Sequence, residues 1–225
     1  METLIEARTM IPEQIVTQLR VDIMTGKYAK GAKLTETELA MLYKVSLGPI
    51  RVVLQTLENE GFIETLPNGR KEVAGFTINQ IKDIYDLRWM LERRAAEYIF
   101  ALPSPSMTPL LDILHRSEYA AIQNNKNESD WFNLDLQFHR AMVAASGNRA
   151  LLKAWDINSS VMYALLALNT TKDYREQYIL EFYDKHKKIF DFIISRSTEF
   201  FDYLLAHISD AERLSTERNY SVPHR

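Results

Sequence analysis

Residues 35–61 read TETELAMLYKVSLGPIRVVLQTLENEG, and the fold of the first third turns on them. Thr35, followed three residues later by Glu38, is a capping box and predicts a short helix carrying Leu39, Ala40 and Leu42. Lys44-Val45-Ser46 predicts a brief turn. Ser46 then stands where it can cap a third helix, Leu47–Glu60, with Pro49 in its first turn and Ile50, Val53, Leu54 and Leu57 facing inward. Gly61 stops it. Upstream, Pro12 opens a first helix in which Ile15, Leu19 and Ile23 recur at four-residue spacing, with Gly26 as its stop. Downstream, two strand-like runs, Phe62–Leu66 and Arg70–Ala74, flank Pro67-Asn68-Gly69 and predict a hairpin. Two short helices with a tight turn, then a hairpin, make a winged helix-turn-helix, a unit that lays its second helix in the DNA major groove. The same pattern also fits a small helical domain that binds no nucleic acid.

Glycine sets the next boundary. Six of the seven glycines lie in the first 77 residues, and the remaining 148 hold only Gly147. Helix interiors exclude glycine, so turns should crowd the first part and helices fill the second. The expected fold is mainly α: residues 1–77 a winged helix-turn-helix, residues 78–225 an all-helical bundle. The 225 residues are 46% hydrophobic and 25% charged, which excludes a disordered chain. A net charge of −3 excludes a polybasic binder of nucleic acid or membrane. With no cysteine, disulfides and thiolate metal sites are excluded, and a cytoplasmic home fits. No apolar run is long enough to span a bilayer, and Met1–Met10 does not read as a secretory signal.

From Ile78 onward about six helices follow: Ile78–Leu102, a helix opened by Pro105 and Pro109 that runs to about Asn124, Glu128–Ser146, Arg149–Asn169, Asp173–Ser195 and Thr198–Tyr220. Three of the five histidines fall on the apolar faces of three separate helices: His139 beside Leu136 and Val143, His186 beside Phe182 and Ile189, His207 beside Phe200 and Leu204. Asp135 precedes His139 by four residues, so both point the same way. These residues read either as satisfied core histidines or as a set of imidazole and carboxylate ligands suited to Zn²⁺, Ni²⁺ or a similar divalent ion. His115 and His224 read as surface and tail. Arg88 lies on the stripe Ile81, Tyr85, Leu91, Ala95, and a buried Arg needs an anion. That anion is either Glu92 one turn later or the carboxylate of an effector. Tyr163, Asn158 and Asn169 are further candidates for lining a cavity.

The first segment also resembles the DNA-binding domain of the GntR family of bacterial transcription regulators. The resemblance rests on Gln18-Leu19-Arg20, Gly26, Lys30-Gly31, Leu34, Glu36, Leu39-Ala40, Val45-Ser46, Gly48-Pro49-Ile50-Arg51, Leu54, Leu57-Glu58 and Gly61-Phe62-Ile63. It implies a double-stranded DNA operator as partner. Residues 1–77 hold nine Lys/Arg and ten Asp/Glu, so DNA must meet a local patch. The candidates are Lys33, Lys44, Ser46, Arg51, Gly69, Arg70 and Lys71. The chain departs from the family at Leu47, where Arg is usual, and at Val52, where Glu is usual. Leucine makes no bidentate contact to guanine. In the second segment, Asp135-Leu-Gln-Phe-His139 with Ala145-Ser-Gly-Asn148 resembles the FCD effector domain of the FadR subgroup. That resemblance implies a metal held by Asp135, His139, His186 and His207, a small organic acid effector near Arg88, and a homodimer. A repressor relieved by that acid is the expected function. The alternatives are a metal-dependent hydrolase and a metabolite sensor that no longer binds DNA.

Overall fold

A computed structural model describes residues 10–123, 125, 127–169 and 172–221. His224 and residues 1–9 lie outside the described residues. The chain divides into two compact units, the first ending at Phe76 and the second spanning Thr77–Ser221.

The first unit is built from α1 (Pro12–Met24), β1 (Lys33–Leu34), α2 (Glu36–Tyr43), α3 (Leu47–Asn59), β2 (Ile63–Thr65) and β3 (Lys71–Val73). Helix α1 ends at Gly26, whose φ of 77° only a residue without Cβ adopts freely. Thr35 caps α2 by accepting the Glu38 N–H at 3.2 Å. Ser46 holds the N-cap position of α3, but its side chain makes no capping bond, contrary to the sequence reading. Leu19, Ile50, Val53, Leu57 and Phe62 are buried where α1, α3 and the sheet meet. The hairpin forms around Leu66-Pro67-Asn68-Gly69, with Gly69 at φ 77° and its N–H on the Leu66 carbonyl. Its register pairs Ile63 with Val73 and Thr65 with Lys71. Strand β1, unread in the sequence, pairs antiparallel with β3 through Lys33–Glu72 and Leu34–Lys71, giving the order β1-β3-β2.

The second unit is helical among the described residues: α4 (Ile78–Ala101), α5 (Thr108–Ile122), α6 (Glu128–Ala145), α7 (Arg149–Asn169), α8 (Lys172–Ser195) and α9 (Glu199–Ser221). A capping box of Thr77 and Gln80 starts α4, and Pro109 sits in the first turn of α5. Helix α4 packs against α6, α7, α8 and α9, so its inward stripe passes through the middle of the unit. Leu91 and Ala95 of that stripe form an apolar cluster with Val143 and Trp155. None of the described helices is long and apolar enough to cross a membrane.

Candidate metal centre and nucleic-acid interface

The apolar stripes of α6, α8 and α9 carry their polar residues into one place. Single ligand atoms of Asp135, His139, His186 and His207 all lie within 4.8 Å of one another. Asp135, His139 and His186 are buried, and His207 is half-buried. Helical spacing brings Asp135 and His139 together, whereas only packing brings α8 and α9 to them.

The hydrogen bonds fix which ring nitrogen each imidazole presents. His186 Nδ1 lies 2.7 Å from the Phe182 carbonyl oxygen, and an oxygen that only accepts requires Nδ1 to carry the proton. His139 Nδ1 donates in the same way to Glu92 Oε2 at 2.7 Å. Both rings therefore turn Nε2 inward, the nitrogen that a neutral imidazole offers as a ligand. His186 Nε2 stands 3.2 Å from Asp135 Oδ1, and His139 Nε2 stands 3.3 Å from His207 Nε2. His186 Nε2 and Asp135 Oδ2 are buried without a hydrogen-bond partner. A buried nitrogen and a buried carboxylate oxygen left without partners, among four converging donor atoms, leave a place that a cation would satisfy. Two nitrogens that share one ion at ~2.0–2.1 Å stand about 3 Å apart, so the spacing is of the right size.

Burial pushes the His139 and His207 rings below the usual imidazole range, which favours the neutral form that can ligate. Burial would raise the Asp135 carboxyl. The His186 contact and the His139 ring outweigh it and hold Asp135 well below the usual carboxylate range. Glu92 follows the same logic: burial raises it, and His139 with Arg88 bring it down to about 2.

Of the two partners considered for Arg88, the structure shows Glu92. The Arg88 Nε donates to Glu92 Oε1 at 2.8 Å, the internal ion pair one turn along α4. Its Nη2 has no hydrogen-bond partner and is 4.0 Å from Asp135 Oδ2, too far for a bond. The side chain is 1% exposed. A buried guanidinium with one arm engaged and another unsatisfied is half of an anion clamp. Arg88, Asp135, His186 and His207 line a cavity of about 190 Å³ together with Asn169 and Tyr178. Asn158 and Tyr163 are placed elsewhere: the Asn158 amide reaches the Ile84 carbonyl, and Tyr163 packs edge-on against Phe132. His115 is exposed, as read.

Sequence reading named Glu92 only as a partner for Arg88 and did not name Tyr178. Glu92 binds Arg88, His139 and the Trp155 indole N–H (3.2 Å) at once. Tyr178 brings a buried hydroxyl with no partner. Its signal was present, since Tyr178, Phe182 and His186 repeat at four-residue spacing on α8.

In the first unit the DNA candidates divide. Lys33, Lys44, Ser46, Gly69 and Arg70 are exposed. Arg51 is exposed on α3 and pairs with Glu36 of α2 at 2.8 Å, a contact water and salt screen readily. Lys71 turns inward, with its ammonium on Glu58 (2.5 Å) and Thr65 (2.7 Å), so it ties the hairpin to α3. Leu47 and Val52 stand 41% and 59% exposed on α3, and Met41 and Leu42 are exposed on α2.

Comparison with known proteins follows the same division. Residues 83–210 match the FCD domain, and residues 11–73 match the gntR family of bacterial regulatory proteins. The chain is 27% identical over 203 residues to the uncharacterized HTH-type transcriptional regulator YdhC of Bacillus subtilis, covering 89% of each. It is 29% identical over 167 residues to the gluconate operon transcriptional repressor of Bacillus licheniformis, covering 73% of this chain and 67% of that one. Among solved structures, a putative GntR regulator from Rhodococcus sp. RHA1 superposes with a TM-score of 0.65 at 17% identity, covering 92% of this chain and 97% of the other.

Proposed function

Because the chain belongs to the GntR family of bacterial regulatory proteins and carries an FCD domain, we propose that it holds an operator through its first unit and releases it when a small carboxylate binds beside a metal in its second. Its relatives are transcriptional regulators, not enzymes. Relatives named as repressors support repression as the sign. Work on DNA puts the protein in the cytoplasm.

The observation that carries the metal reading is the convergence of four donor atoms within 4.8 Å, with His186 Nε2 and Asp135 Oδ2 buried and without hydrogen-bond partners. Asp135, His139, His186 and His207 would hold the ion, Zn²⁺ or Ni²⁺ by donor type. Bound there, a divalent ion would supply the positive charge that draws a carboxylate to the site. The rest is done by the chain. Glu92 fixes the His139 ring with Nε2 inward, and the Phe182 carbonyl does the same for His186. Arg88 offers Nη2 to the acid. These residues come from α4, α6, α8 and α9, so an acid bound among them bears on the packing of four helices. It shifts the protein between DNA-binding states by as much as its affinity differs between them. In the first unit, α3 enters the major groove, Ser46 and Arg51 lie toward the DNA, and Lys33, Lys44, Gly69 and Arg70 meet phosphates in a homodimer.

The test is the double variant His139→Ala with His186→Ala in the full-length protein. Bound metal should fall from one per chain to none by elemental analysis, and the organic-acid response in a mobility-shift assay should disappear while acid-free DNA binding survives. Stoichiometric metal in the double variant overturns the ligand assignment. Absence of any salt-sensitive shift with the wild type would favour a sensor that does not bind DNA.

A further inference from the structure

We propose that the effector is a monocarboxylate with a compact apolar body about the size of a benzene ring, not a sugar acid or a polycarboxylate. This rests on the effector reading above and narrows it. Three features of the cavity carry the inference: its charge, its hydrogen-bonding capacity and its size.

Charge sets the number of carboxylates. The fully buried charged groups around the site are Arg88, Glu92 and Asp135, one positive and two negative. With a divalent ion among neutral imidazoles the balance becomes a single positive charge, which one carboxylate cancels. A second carboxylate finds no spare cation. Lys185, on the lining, is already paired with Glu181 at 2.7 Å.

Hydrogen bonding sets the character of the body. The unsatisfied donors at the buried end are Arg88 Nη2 and Tyr178 OH, two donors suited to the two oxygens of one carboxylate. Asn169 is already used: its amide donates to the Ala211 carbonyl at 3.0 Å, and its oxygen accepts from Ser215 at 2.9 Å. Asp210 faces Arg213 at 3.6 Å. What remains of the wall is Leu166, Phe182, Tyr203, Ala206, Ala211 and Leu214, apolar but for the Tyr203 hydroxyl. A chain of several ligand hydroxyls placed there would lose its water and meet few partners beyond the Tyr203 hydroxyl and the Asp210 carboxylate.

Size sets the bulk. The cavity measures about 190 Å³. An apolar cavity of about 150 Å³ accepts benzene, so a ring with one carboxylate fits and a long acyl chain does not.

The experiment is calorimetric titration of the full-length, zinc-loaded protein with benzoate, gluconate and citrate. Benzoate should bind at least tenfold more tightly than either of the others. Leu166→Asn and, separately, Leu214→Asn at a half-buried wall position should each weaken benzoate at least tenfold with zinc per chain unchanged, which shows that the site is still assembled. Gluconate or citrate binding as tightly as benzoate overturns this proposal and leaves the carboxylate-effector reading standing. If zinc is bound and none of the three acids binds, the proposal and that reading fall together. Wall variants that keep zinc and bind benzoate as the wild type does also overturn it.

Discussion

Replacing Glu92 by Gln keeps the shape of the side chain and removes the charge that three buried groups share. Arg88 would then be left in the interior without its ion-pair partner, and His139 without its anionic acceptor. Breaking a buried pair in this way costs about 3–5 kcal/mol. Denaturant unfolding of Glu92→Gln should show a loss of that size, and zinc affinity should drop about 10–100-fold. Unchanged stability would mean that the guanidinium finds its anion elsewhere. On the reading head, Leu47 is the informative residue. It is 41% exposed at the start of α3 and carries no charge. Leu47→Arg should tighten DNA binding and steepen the salt dependence of log K by about one unit, as one added phosphate contact does. A slope equal to the wild type's would place the first turn of α3 away from the phosphates.

At the scale of the element, the wing depends on a polar tie as much as on its ladder. Lys71 of β3 and Thr65 of β2 both bond Glu58 on α3. The Lys71 ammonium beside Glu58 holds that carboxyl below its ordinary 4.5. A carboxyl lowered in the folded state contributes stability that is fully present above 4.5 and lost as pH falls through its folded value. Amide exchange at Thr65 and Lys71 should therefore accelerate as pH drops below about 4.5, after correction for intrinsic rates, and Glu58→Gln should remove the pH step. This element also shows where sequence reading stops. Apolar spacing and the Pro67-Asn68-Gly69 turn announce α3 and the hairpin, because helix period and turn chemistry are local. Strand β1 is two residues long and has no period of its own; it exists because β3 offers it an edge. Ser46 marks the start of α3 by residue type, yet its hydroxyl makes no capping bond.

For the whole molecule, the proposed homodimer makes a geometric prediction. Two reading heads of a dimeric helix-turn-helix protein meet half-sites about 34–36 Å apart, one helical turn of DNA. Inserting roughly 5 bp between half-sites turns one of them to the opposite face of the duplex and should weaken binding at least tenfold in a mobility-shift assay. Binding that tolerates the insertion would argue for independent heads. The sequence by itself determined the two-part organisation, the helices and the reading head. Those follow from glycine placement, apolar period and caps, all of which act over a few residues. It also placed Asp135 and His139 on one face, since four residues make about one turn. Only the tertiary structure decided that His186 and His207 meet that pair, that Glu92 orients His139, and that Arg88 keeps an unsatisfied arm beside Tyr178. Those relations join α4, α6, α8 and α9, which are distant in sequence. No local pattern encodes the packing that brings them within hydrogen-bonding reach.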